Sequence, residues 1–389
     1  MARNRWWMTA MALLCAPLAW GQSLGQVVAL GGHSSDVVLD ELRGVVYVAN
    51  FTANRVDVVG AEAGDVQGSI NVPSQPSSIA MSPDSRYLAI AHFGNFAAPG
   101  TPRNALTVID LNSRERHTYA LANPPLGIAF GIDGYALVVT STQFLRFDPL
   151  LGTTQVISTL QDVTANTLPQ PPAKPPAEIV AASVQSSADG LTIYGLTDSM
   201  MFVYDVAARR VSYSYYVAEP PLGPRAISVA KDGAYYLAGW ALFDRVGMVA
   251  QFPNPKGDLG VGSHAIDSDR GIIYAQVPEQ VVTTTTDSTQ SGGTTSQPGT
   301  TQANTPNPDA QPPFLMVLDA DNLTVRERFK LAENLSGKSV LSRDGRMMYA
   351  ISASGLTIIR VGELNRVPRV VSSTPDVVFR SGFCNRGVM

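Results

Sequence analysis

Asp133-Gly134-Tyr135-Ala136-Leu137-Val138-Val139-Thr140-Ser141-Thr142-Gln143-Phe144-Leu145-Arg146-Phe147-Asp148 is the stretch that decides the fold. Its Asp-Gly pair suits the positive φ of a tight hairpin, and the β-branched and aromatic run behind it reads as a strand. Arg146-Phe147-Asp148 then ends a further strand in an aspartate that can hydrogen-bond the backbone of the next turn. Both marks recur along the chain. The turn returns at Asp189-Gly190, Asp232-Gly233 and Asp344-Gly345, with relaxed forms at Asp84-Ser85 and Asp269-Arg270-Gly271. The strand-ending aspartate returns at Asp110, Asp205 and Asp319.

The spacing between the marks shows that the repeat is real. Asp133 to Asp148 spans 15 residues and Asp189 to Asp205 spans 16. Asp84 to Asp110 and Asp269 to Asp319 span 26 and 50, and a Pro/Gly/Ser/Thr-rich loop between second and third strands accounts for each excess. The unit is about 40 residues of four short strands. It occurs seven times, at 34–74, 75–123, 124–160, 177–219, 220–254, 259–334 and 335–370, the fifth being the least regular. A four-stranded unit of this size cannot bury both faces alone, so units stack radially. The expected fold is all-β: a seven-bladed β-propeller of four-stranded antiparallel blades, closed by an N-terminal strand. Gln26–Leu30 is a spare outer strand expected to pair with Leu356–Ile359, with Arg366–Val371 competing for the slot.

Domain limits follow from composition. Arg3 and Arg5 precede an apolar run, Trp6 to Trp20, too short to span a bilayer, and the small Ala19 and Gly21 flank a cleavage point before Gln22. Residues 1–21 are therefore expected to be a signal peptide; Leu14 is too large for lipoprotein processing at Cys15. Residues 22–370 form the propeller, with a low-complexity loop, 279–313, inserted in blade six. Residues 371–389 are expected to begin a further domain, truncated or degenerate. Export places the protein in the periplasm or outside the cell, and no later run is apolar enough for a transmembrane segment. Loss of Arg3 and Arg5 takes the formal charge from −4 to −6, which disfavours nucleic acid. Only Cys384 then remains, so no internal disulfide holds the fold.

Tyr47-Val48-Ala49-Asn50, Ser82-Pro83-Asp84 and Thr107-Val108-Ile109-Asp110 resemble the YVTN-type β-propeller repeat. The resemblance covers residues 26–370. It implies kinship with surface-layer proteins, lactonase-like proteins and chains similar to the heavy chain of quinoprotein amine dehydrogenases, and carries no catalytic residue across.

Strand alternation sends the second-to-third loops and the blade connections to one face and the Asp-Gly turns to the other. The irregular segments 93–104, 161–176 and 279–313 are therefore expected to crowd the long-loop face, where a protein or small ligand would bind. Leu168–Pro176 reads as a stiff polyproline connector. Aligning the units sets Asp36, Ser78, Gly127, Ser183, Ala226, Ser263 and Lys338 at one level of the central channel, with Arg225 and His264 beside it. The channel-mouth binding candidates are Asp36, Ser78, Arg225, His264 and Lys338; His264 and Arg225 are the only catalytic candidates. Too few carboxylates converge for a metal, and no G-x-S-x-G, H-E-x-x-H or C-x-x-C-H motif implies a nucleophile, zinc or haem, so no cofactor is expected. This favours a binding or scaffold module for an envelope or extracellular partner over an enzyme. The alternatives are a lactonase-like hydrolase acting at the channel mouth, or a non-catalytic subunit of a quinoprotein-dehydrogenase-like complex.

Overall fold

A computed structural model describes residues 23–93, 104–165, 167, 175–216, 226–244, 247–252, 262–278 and 312–364. The expected signal peptide, Arg225, nearly all of loop 279–313, the stretch Arg366–Val371 and the tail 371–389 lie outside the described residues.

Seven four-stranded antiparallel sheets form a ring, which is a seven-bladed β-propeller. Six blades follow chain order: Ser34–Asp40 to Val66–Asn71, Pro76–Met81 to Arg116–Ala120, Pro125–Phe130 to Thr153–Thr159, Ala182–Ser186 to Arg210–Tyr216, Ile227–Val229 to Met248–Gln251, and Ser263–Asp267 to Val325–Lys330. Blade seven takes three strands from Leu335–Leu341, Met348–Ser352 and Gly355–Ile359, and Gln26–Ala29 pairs beside the last. That register sets Gln26 opposite Ile358 and Ala29 opposite Gly355. Among the described residues no helix is long and apolar enough to cross a membrane.

In blades two, four and seven a serine two residues before the aspartate completes the motif: Ser82, Ser187 and Ser342 donate to Asp84, Asp189 and Asp344 at 2.5–2.6 Å. Each serine oxygen also accepts the amide five residues on, at Tyr87, Thr192 and Met347. The turn is thus fixed by side chains before any blade packs. Gly190 needs its φ of +67°, and an added Cβ would lie 2.8 Å from the Ile132 nitrogen of the neighbouring blade.

The core lies between blades. Val28, Leu30, Val37, Val46, Tyr349 and Ile358 pack where blade seven meets blade one, and Ala89, Leu106, Ile128, Val138 and Phe147 where blade two meets three. Blade five has inner strands of only three residues, and aromatics supply its burial: Tyr236 lies 4.7 Å from Tyr194 and stacks on Phe243 at 5.4 Å. The fourth strands are exposed edges, and those of blades one, three, four, five and six carry register irregularities that hinder pairing with another strand.

Candidate functional site

The inner strands of blades one, two, three and seven each begin with a bulge, at Ser35, Ser77, Leu126 and Gly337-Lys338. The bulged serines face the next blade: Ser35 donates to the Pro76 carbonyl at 2.6 Å and Ser77 to that of Pro125 at 3.3 Å. Behind each bulge the chain returns to register, with Asp36 opposite Ala49 and Ser78 opposite Ala91. In blade seven that place belongs to Ser339, opposite Ala350, so Lys338 sits in the bulge itself. Alignment of the units sets Lys338 level with Asp36, and the structure gives that level to Ser339.

The structure brings three of the channel-mouth candidates together. Asp36 pairs with Lys338 at 2.8 Å, and the two side chains are 9% and 11% exposed. The same carboxylate accepts Ser78 Oγ at 2.8 Å and the amides of Val37 and Ile79 at 2.8 and 2.9 Å. Ser78 Oγ in turn accepts the Ile128 amide of blade three. On the other side Ser263 of blade six donates to the Gly337 carbonyl and meets Ser339 Oγ. Each acceptor lobe of Asp36 is filled, so this cluster binds blades to one another.

His264 lies apart from that cluster. It is wholly buried between blades five and six, with Nδ1 2.7 Å from Ser228 Oγ and its ring stacked on Phe252 at 6.2 Å. Burial lowers its pKa from 6.5 to about 4, against a weaker opposite pull from backbone at Gly239, His264 and Ala226. His92, not singled out in the sequence, is buried likewise in blade two, with Nε2 2.9 Å from Thr107 Oγ1 and a pKa of about 4 for the same reason. Both rings are neutral near pH 7. Arg225 falls outside the described residues. Among the described residues no three His, Cys, Asp or Glu side chains are placed to hold a metal ion.

The turn face divides into two halves. Through blades six, seven, one and two its turns are charged and cross-tied. Arg270 pairs with Asp267 and reaches the Gly345 carbonyl, Arg43 pairs with Asp40 and reaches that of Ser85, and Arg343 meets Glu41. Leu42 and Val66 are exposed apolar exceptions there. Through blades three, four and five the turns also expose apolar side chains, Leu150 and Leu151 at 71% and 69%, Ile132 at 54%, Leu191 at 49% and Tyr235 at 43%, while Arg146 pairs with Asp133 and Lys231 with Asp269 of blade six. Backbone bonds hold this arc together, with Ile132 N donating to Gly190 O and Val206 N to Leu191 O. Five large apolar side chains thus stand exposed on the turns of three successive blades, and apolar surface gathered on one side of a molecule marks a candidate contact surface.

On the opposite face, segment 161–176 begins as an α-helix, Leu160–Ala165, where an irregular connector was expected. A capping box starts it: Thr159 N donates to Asp162 and Asp162 N to Thr159 Oγ1, and the Thr159 hydroxyl, which also donates to the Asp162 carboxylate, lowers its pKa together with the Thr159 amide. The spacing Thr159-x-x-Asp162 is the sequence signal that would have found it. Between this helix and the outer strands of blades three and four lies a shallow cleft of about 140 Å³, lined by Ile157, Asp162, Val163, Arg210 and Tyr213.

No family model matches the chain, and no curated protein matches it. Among solved structures 1507 chains match, so the likeness speaks for architecture and leaves activity open. A chain of hydrazine synthase from Kuenenia stuttgartiensis superposes with a TM-score of 0.58 at 16% identity, over 88% of this chain and 98% of that one. The β-propeller domain of Cps50 (Swd1) from Myceliophteria thermophila gives 0.59 at 13% identity, over 85% and 98%. These likenesses bear on fold alone, and the fold they share with this chain is the β-propeller.

Proposed function

We propose that this chain is an exported, YVTN-type propeller working as a binding or scaffold module that holds a partner protein against its turn face. The observation that carries the reading is the apolar arc of Ile132, Leu150, Leu151, Leu191 and Tyr235 on an otherwise charged face. The leader-like residues 1–21 support export, and Tyr47–Asn50 with its companion motifs supports the repeat type. Service as one chain of a larger enzyme complex is a form of the same reading. A channel-mouth hydrolase has no comparable support, because His264 is sealed between blades and Asp36 is saturated. The test is a pull-down from envelope extracts with the wild type and with a Leu150→Ser/Leu151→Ser/Leu191→Ser variant. A specific protein kept by the first and lost by the second is the expected result. Retention of nothing, or equal retention by both, overturns the reading.

A further inference from the structure

We propose that this chain pairs with a second copy of itself through the outer strand of blade two, Arg116–Ala120, as an antiparallel edge-to-edge dimer. The inference is independent of the partner-binding reading, because it concerns the rim of the ring and leaves the turn face alone. It starts from a difference among the blade edges. In blades one, three, four, five and six the fourth strand loops out one residue, at Gln67, Ile157, Ser212, Val249 and Arg326. Such a bulge breaks the edge ladder and twists it away from an incoming strand. The edge of blade seven is unbulged but short. Leu30 N donates to Ser354 O, so only Val27 and Ala29 turn their backbone groups outward, and Leu24 N donates away to Lys330 O of blade six. Among the described residues, blade two alone keeps a five-residue edge in unbroken register, from Ala105 opposite Ala120 to Ile109 opposite Arg116.

Parity fixes which groups that edge presents. Leu121 N donates to Asn104 O, and Asp110 N donates to Glu115 O, so the odd-numbered residues of the strand turn their backbone groups into the blade. Arg116, Thr118 and Ala120 therefore aim theirs outward. All three of these residues are exposed. The strand is also braced from both sides. Arg116 donates to the Asn71 carbonyl of blade one, Thr118 Oγ1 lies 3.0 Å from Thr107 Oγ1, and the Tyr119 ring packs 5.6 Å from Phe147 of blade three. Little ordering cost opposes pairing at an edge already held in place.

The charges favour a second copy and set its orientation. Arg114, Glu115 and Arg116 stand together at one end of the edge, with His117 beside them, whereas Tyr119 to Ala122 at the other end carry no charge. A two-fold axis through Thr118 sends the two charged ends to opposite ends of the joint sheet. Arg116 then falls opposite Ala120, His117 opposite Tyr119, and Thr118 opposite its own counterpart. This register uses the whole strand, opposes no like charges, and exchanges about six backbone hydrogen bonds, two for each outward pair. Parallel pairing would bring the two arginine-bearing ends together. Because the edge pairs with itself, assembly stops at two. The strands run antiparallel, so the turn faces of the two rings look in opposite directions.

Sedimentation velocity on the full chain, from about 5 to about 500 µM, should show a monomer to dimer equilibrium in the range of small interfaces. Ala120→Arg sets an arginine against Arg116 of the second copy at two places, and should weaken the dimer about tenfold; Ala120→Glu should tighten it by a similar factor. Circular dichroism checks that both variants fold. Cross-linking reads the register in a Cys15→Ser/Cys384→Ser background, which removes the native thiols. Thr118→Cys brings two Cα atoms about 5.5 Å apart and should oxidise to a covalent dimer. Arg116→Cys and Ala120→Cys, whose like residues stand about 13 Å apart, should each fail alone and cross-link when mixed. No dimer across the range, indifference to both Ala120 variants, or self-cross-linking of Arg116→Cys as readily as Thr118→Cys overturns the proposal. So does a dimer dissolved by Leu150→Ser/Leu151→Ser/Leu191→Ser, which would place the contact on the turn face. A monomer that takes up an acidic extended peptide at this edge overturns it in favour of a foreign strand.

Discussion

Lys338 of blade seven and Asp36 of blade one meet at 2.8 Å, at the place where the last blade of the ring touches the first. The pair is nearly dry, and the carboxylate also gathers Ser78 and the Ile79 amide from blade two. It acts on three blades at once.

Removing one partner from such a pair leaves a buried charge. Lys338→Met is expected to destabilise the fold by about 3 kcal/mol. The Asp36→Asn/Lys338→Met double variant should recover much of that loss, because no charge is then stranded. Urea midpoints for the two single variants and the double variant, taken as a cycle, check this; strictly additive losses would show that the residues do not act together.

Acid should weaken the fold through its buried imidazoles. His92 and His264 have pKa values of about 4 when folded against 6.5 when exposed, so the unfolded chain takes up protons first as pH falls. Stability should therefore be flat above pH 6.5, fall between 6.5 and 4 by about 3 kcal/mol for each histidine, and level off below. Denaturant titrations across that window measure the slope, and His264→Gln should roughly halve it. An unchanged slope would place the linkage elsewhere.

Two turn glycines with like φ separate strain from crowding. Gly134, at +78°, has nothing within 4 Å of an added Cβ, whereas at Gly190 the carbon meets the Ile132 nitrogen. Gly134→Ala should cost about 1 kcal/mol and Gly190→Ala distinctly more, by thermal melts. Equal losses would mean that the neighbouring blade yields freely.

Val28 tests the strand supplied by the N-terminal end. It is 6% exposed among Val37, Val46, Leu356 and Ile358. Val28→Asp should cost about 3 kcal/mol or more, and limited proteolysis should then cut first within 335–359. Cuts spread evenly over all blades would show that the strand has no local role.

Much of this architecture is legible in the sequence because tight turns need particular residues: Asp-Gly at 133, 189, 232 and 344 marks hairpins whatever packs around them. The channel was less legible. A bulge leaves no compositional trace, so nothing in Gly337-Lys338-Ser339 tells which residue is looped out, and Lys338 was aligned where Ser339 belongs. The helix at Leu160–Ala165 was masked by the proline-rich tract behind it, although its capping residues stand in plain view. The apolar arc is illegible for a different reason. Leu150, Leu151 and Leu191 look like any strand-flanking leucine, and only the turned backbone shows that water is what they face.

Because Gln26 sits opposite Ile358, the strand Gln26–Ala29 can pack on blade one early but has no hydrogen-bonded strand partner until residues 355–359 are in place. Six sheets draw their strands from one continuous stretch each, but the seventh needs residues 26–29 and 335–359 in one place. Among the described sheets that pairing spans the longest stretch of chain, which makes it the natural slow step of folding. A chain halted before it would be a horseshoe rather than a torus, with bare flanks at its two tips and every chance of sticking to its neighbours.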